Sequence, residues 1–270
     1  TYHGGASNAQ SSDVVIDTPG NAYVPGFTRS DPFPTTSGDR PTAGPEEMAF
    51  VSKINPTGTE LVYSIYFGGQ DGSTRGAGIA LASLRRPVIA GRAQSTDLPV
   101  VNAFQGSFGG LRDAFFAKFD ARGNDLLFSS YLGGIREDEA LGLCLDQEDN
   151  LYLTGCTDGS FPIENYFDDE GGSGDAFAAK FDSSGQSLVY STYIAGESPD
   201  TGRAIAADSN GNADITGETN SGAEFPIQDP VPDGDALNGI FADAFITEAG
   251  SEARPFRIDL PVSYTHLRAH

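Results

Sequence analysis

MAFVSKINPTGTELVYSIYFGG (48–69), DAFFAKFDARGNDLLFSSYLGG (113–134) and DAFAAKFDSSGQSLVYSTYIAG (175–196) are one pattern written three times. A fourth copy starts at DAFIT (243–247), and the opening TYHGG carries the tail of an earlier one. Phe50, Phe115, Phe177 and Phe245 mark the period at spacings of 65, 62 and 68 residues. Between the copies runs a second pattern: VIDTPGNAYVPG (15–26), ALASLRRPVIAG (80–91), CLDQEDNLYLTG (144–155) and AADSNGNADITG (206–217). Each ends in glycine (Gly26, Gly91, Gly155, Gly217) and is followed by a corner, Phe33-Pro34, Leu98-Pro99, Phe161-Pro162 or Phe225-Pro226.

One unit therefore holds four short apolar runs, A to D, rich in Val, Ile, Phe and Tyr and bounded by Gly, Asp, Asn and Pro, which is how strands read. In run C, Phe115, Ala117 and Phe119 fall on one face, and Ala114, Phe116 and Lys118 on the other. Apolar groups on both faces predict a sheet packed between two neighbours. The A to B link Asp-x-x-Gly-Asn predicts a hairpin turn in which Asp bonds the backbone ahead and Gly takes positive φ. The second unit has Ser83-Leu84-Arg85-Arg86-Pro87 there and needs a different turn.

Tandem four-stranded antiparallel units predict an all-β fold, a β-propeller of about four blades forming an open or partial ring; a solenoid of sheets is the alternative. The expected units are 1–5 (end of a preceding blade), 6–69, 70–134, 135–196 and an incomplete 197–259. A non-repeat tail, 260–270, reads as a translation artefact. Gly and Pro supply 34 and 16 of the 270 residues, the punctuation of about sixteen strands.

The words DAFxAKFDxxG, LVYSTYxGG, GNxYxTG and the Phe-Pro corners, recurring in order, resemble the bacterial SBBP-type beta-propeller repeat over residues 1 to about 248. The resemblance implies a propeller, seven-bladed by the family's name, and a place in large secreted or surface proteins of bacteria. It implies no activity.

A formal net charge of −22 argues against nucleic acid as partner. No apolar run is long enough to span a bilayer, so no membrane insertion is expected. Any secretion signal would be removed or lie outside this sequence. His3, His266 and His270 sit at the chain ends, leaving no foothold for a Ser-His-Asp or Cys-His set. The three lysines, Lys53, Lys118 and Lys180, share one repeat position and read as structural, each stem snorkelling over its blade toward a local carboxylate. Cys144 should face Tyr152 or Leu153, which leaves Cys156 beyond disulfide reach. Asp208 to Asp214 has the alternating oxygens of a calcium loop but lacks the distal bidentate Glu, and no metal or cofactor is expected.

Alternating strand direction puts the D to A and B to C links on one face. Its charged residues are the candidate ligand-binding set: Asp71 and Arg75; Arg136, Glu137, Asp138 and Glu139; Glu197, Asp200 and Arg203. Long B to C links, 30–47 and 165–174, lie on the same face. The reading is a non-catalytic scaffold or binding module for an extracellular protein or glycan, located outside the cell or on its surface. The alternative is a glycosidase or lyase using acids at the propeller mouth.

Overall fold

The computed structural model describes residues 4–29, 32–36, 47–166, 174–221, 225, 243–249 and 257–259, the last two stretches as backbone. The tail 260–270, the three histidines and the middles of the two long B to C links lie outside the described residues. Four antiparallel sheets follow one another along the chain. In the first, β1 (Ala9–Ser11) and β2 (Val15–Ile16) form strand A in two pieces, both paired to β3 (Ala22–Thr28), which leads to β4 (Met48–Ile54) and β5 (Leu61–Phe67). The second contains β6 (Thr74–Ala82), β7 (Arg86–Ala93), β8 (Asp113–Phe119) and β9 (Leu126–Leu132). The third contains β10 (Asp138–Leu145), β11 (Leu151–Thr157), β12 (Asp175–Phe181) and β13 (Leu188–Ile194). The fourth contains β14 (Asp200–Ala207), β15 (Ala213–Thr219), β16 (Asp243–Ala249) and β17 (Arg257–Asp259). The fourth copy lacks the sequence word for strand D, yet Arg257–Asp259 pairs with β16, because ladder hydrogen bonds come from the backbone.

The sheets stack face to face as blades, each packed on the next, and among the described residues no apolar core joins the fourth to the first, which is an open β-propeller. Strands A of successive blades touch one another and lie at the hub. Three apolar cores fill the three seams. Val51, Tyr63 and Phe67 of the first blade meet Ile89, Phe115 and Phe119 of the second. Phe116 and Phe128 of the second meet Leu153, Phe177 and Phe181 of the third. Tyr152, Ala178 and Tyr190 of the third meet Ile215 and Phe225 of the fourth. The alternation read in strand C is thus a division of labour: Phe115, Ala117 and Phe119 serve one seam, Ala114 and Phe116 the next. Rings interlock there, with Phe116 and Phe181 centroids 4.7 Å apart.

Strand A is longer than its apolar run suggests. A bulge between Gly76 and Gly78, repeated at Ala140/Gly142 and Gly202/Ala204, lets each strand continue into the preceding charged residues. Arg75, Asp138, Glu139, Asp200 and Arg203 therefore lie in strands, not in the links where the sequence pattern put them. The recurrent glycine at the end of run B has a cause in this crowding. A Cβ on Gly26, Gly91 or Gly155 would collide with the carbonyl oxygen of Gln10, Arg75 or Glu139 in the paired strand A.

The opposite face is made of short turns. Asp17 accepts hydrogen bonds from the backbone and side-chain nitrogens of Asn21, and Gly20 has φ +94°. In the third blade Asp146 does the same for Asn150, with Asp149 taking the positive φ of 64°. Each lysine lies against an aromatic ring and a carboxylate: Lys53 over Tyr23 with Asp17 at 3.6 Å, and Lys180 over Tyr152 with Asp146 at 3.7 Å. The second blade has no Asp in its turn, which is a 3-10 turn at Ser83–Arg85. Its Lys118 instead pairs with Asp149 of the third blade at 3.8 Å, and the same carboxylate accepts from Ser83 N at 2.9 Å.

Candidate functional site

The face carrying the long links is held by buried anchors. Leu98 N and Phe161 N donate to the hydroxyls of Tyr131 and Tyr193 in strands D, which pins each Leu-Pro or Phe-Pro corner onto its blade. Tyr131 in turn donates to Ser95 O at 2.8 Å. These contacts give the links a rigid base, the usual setting for a binding surface.

The candidate charged residues divide into two groups on this base. Asp138 and Asp200 are buried in the protein, and Asp71, though exposed, has its carboxylate taken up by protein donors. Asp71 accepts from Ser95 Oγ, Thr96 N and Thr96 Oγ1, which tie the link before β6 to the one after β7; these bonds, led by Thr96, hold it down at about 2. Asp138 Oδ2 accepts from Gly134 N at 2.8 Å, and Asp200 Oδ2 accepts from Gly196 N and Ser221 Oγ. Asp138 is 1% exposed; Thr157 is its cross-strand partner, but neither Asp138 Oδ1 nor Thr157 Oγ1 completes a hydrogen bond among the described residues. Burial, with smaller contributions from Asp113 and Asp158, pushes Asp138 up to about 6. Asp113, which accepts from Gly109 N, Gly110 N and Gln105 Nε2, is also raised by burial.

The other group faces outward. Arg136 is 62% exposed and lies 3.4 Å from Asp158; Arg203 and Glu218 form an exposed pair at 3.1 Å; Glu197 is exposed on the link before β14. Arg75, Glu137 and Glu139 belong to a larger charged array at the hub that includes four residues absent from the sequence-based set, Arg29, Glu47, Arg92 and Arg112. Glu47 is buried between Arg29 and Arg75, accepting from Nε and Nη2 of both. The bonds from Arg75 outweigh burial and hold Glu47 below the ordinary carboxylate range. Arg75 also lies over the Phe27 ring, 4.4 Å from its centroid. Across the next seam Glu139 accepts from Arg92 at 2.8 Å and from Arg112 at 3.4 Å, and Arg112 reaches Glu137 at 3.0 Å. The missed residues sit at the end of strand B or just before strand C; pairing these ends with the start of strand A in the hairpin register would have found them, since Arg92 lies directly opposite Arg75.

Two hollows open along this array. An open one of about 610 Å³ is lined by Ser7, Asn8, Gln10, Phe27, Arg29 and Arg75 around Glu47. A smaller one of about 80 Å³ lies between Glu47, Ser73, Arg75, Arg92, Gln94 and Arg112. The cysteines take no part in a disulfide. Cys144 pairs across the sheet with Tyr152 and Cys156 with Glu139, and burial pushes the thiols up to about 12 and about 11. Among the described residues no group of three or more His, Cys, Asp or Glu is placed to hold a metal ion, and no helix is long and apolar enough to cross a membrane.

No curated protein matches the chain. The model of the beta-propeller repeat SBBP matches residues 189–226, from strand D of the third blade through strands A and B of the fourth to the Phe225-Pro226 corner. Residues 189–226 thus carry an SBBP beta-propeller repeat, and the same sequence words recur in the other units.

Proposed function

We propose that this chain is a non-catalytic propeller segment of a secreted or surface bacterial protein, and that it acts as a scaffold and binding module through the face bearing the D to A and B to C links. The observation that carries the reading is the contrast between the two faces. One consists of short turns, most of which recur from blade to blade; the other combines links pinned from below by Tyr131, Tyr193, Asp138 and Asp200 with outward charges that differ in every blade. Repetition of a rigid base with variation at its rim is what a recognition surface requires. The partner class is an extracellular protein or glycan. The test is an array of both, probed with the chain and with variants carrying Gly-Ser linkers at 70–73 and 135–137. Binding that survives both replacements unchanged removes this face from the function. Glycan turnover lost in Glu137→Gln would instead place the chain among carbohydrate-active enzymes.

A further inference from the structure

We infer that the small hollow between Arg75, Arg92 and Arg112 is a binding site for a singly charged carboxylate, such as the carboxylate of a uronic acid sugar. The inference rests on the reading of this face as the binding face and names the ligand chemistry. Arg75 and Arg92 are directly opposite one another in the β6–β7 ladder, an arrangement of like charges that destabilises a sheet unless an anion lies between or beside them. The anions present are pulled to the two sides. Glu47 takes Nε and Nη2 of Arg75, and Glu139 takes Nη1 of Arg92. Among the described residues Nη1 of Arg75 and both Nε and Nη2 of Arg92 have no acceptor, and these two arginines line the same hollow of about 80 Å³ with Arg112, Ser73, Gln94 and Glu47, whose carboxylate is already taken up by Arg29 and Arg75. A planar carboxylate fits the guanidinium fork with two parallel hydrogen bonds, and Ser73 and Gln94 stand beside it as further polar groups.

Charge selects the monoanion. Arg29, Arg75, Arg92 and Arg112 against Glu47, Glu137 and Glu139 leave the array at one net positive charge within a chain of −22. A phosphate dianion would overcompensate that charge beside three carboxylates, whereas one carboxylate cancels it.

Isothermal titration of the full chain with glucuronate, glucose and inorganic phosphate at low salt tests the site. Glucuronate is expected to bind, glucose to give no heat, and phosphate to bind at least several-fold more weakly than glucuronate. Arg92→Gln should weaken glucuronate at least tenfold, and Arg122→Gln, on the short-turn face, should leave it unchanged. If Arg92→Gln fails to fold, Arg92→Lys keeps the charge but loses the fork, and the same weakening is expected. Glucuronate binding no better than glucose, or equal binding by wild type and a folded Arg92 variant, overturns the site; phosphate binding more tightly overturns the monoanion. Glucuronate failing while array binding still depends on the links removes this inference alone, and failure of both removes the binding face.

Discussion

Asp138→Asn should make the protein more stable at neutral pH. The carboxyl is buried at the start of β10, one oxygen accepting from Gly134 N and the other without a partner among the described residues, with Asp113 nearby. Its folded-state value of about 6 against an ordinary 3.8 means that ionisation is disfavoured by folding. For a raised carboxylate, stability is fully present below the unfolded value and is lost as pH rises through the folded one. Integrating between the two values, the ionised group destabilises the fold by about 3 kcal/mol at pH 7.5, by roughly half of that at pH 5 and by only a small fraction of it at pH 4. Asn keeps an oxygen for Gly134 N, adds a donor beside Thr157, and does not ionise. Urea unfolding of wild type and Asp138→Asn at these three pH values should give a stability gap that shrinks steadily with acidity. The first seam supports the expectation: there Met48 and Thr74 occupy the places of Asp113 and Asp138, and both are buried. A variant no more stable than wild type at pH 7.5, or a gap independent of pH, refutes the reasoning.

Other perturbations follow from the same geometry. Asp146→Ala strips the turn of its acceptor for Asn150, Glu148 and Tyr152 and leaves Lys180 buried without its carboxylate, and should lower stability by about 3 kcal/mol in urea unfolding. Phe116→Ala opens a cavity between the second and third blades, beside Phe128 and Phe181, and should lower stability by about 3–5 kcal/mol in the same assay. Gly155→Ala drives a methyl group into the Glu139 carbonyl and should lower the thermal midpoint by several degrees, about 2 kcal/mol of overpacking, in a calorimetric scan. A disulfide-exchange reagent at pH 8 should label Cys144 and Cys156 only slowly in the native protein and rapidly in urea, because burial raises both thiols.

What could be read from the chain alone was what repeats or acts locally. The period of Phe50, Phe115 and Phe177, the two-faced alternation of β8 and the Asp17 to Asn21 turn are all properties of neighbouring residues, and each predicted its place in the fold. Orientation at the hub was not legible, because the bulge in strand A shifts the alternation by one residue between the apolar run and the charges before it. Asp138 and Glu139 thus look alike in sequence, yet one is buried against Gly134 and the other answers to Arg92 and Arg112. The array itself joins residues of different blades: Glu47 to Arg75 across one seam, Glu139 to Arg92 and Arg112 across the next. No periodicity within a unit carries that information, and the four residues that complete it vary from copy to copy.

The contact of Lys118 with Asp149 limits how freely this chain's repeats can be treated as interchangeable parts. The first and third blades each carry their own lysine and its counterion, and the first could in principle be duplicated or moved as a unit without separating such a pair. The second completes its charge pair and caps its turn with one carboxylate from the third. A rearrangement that inserted a new blade between them would separate a buried ammonium from its partner, so these two units are constrained to be inherited together. Recombination has its easier breakpoints outside the pair.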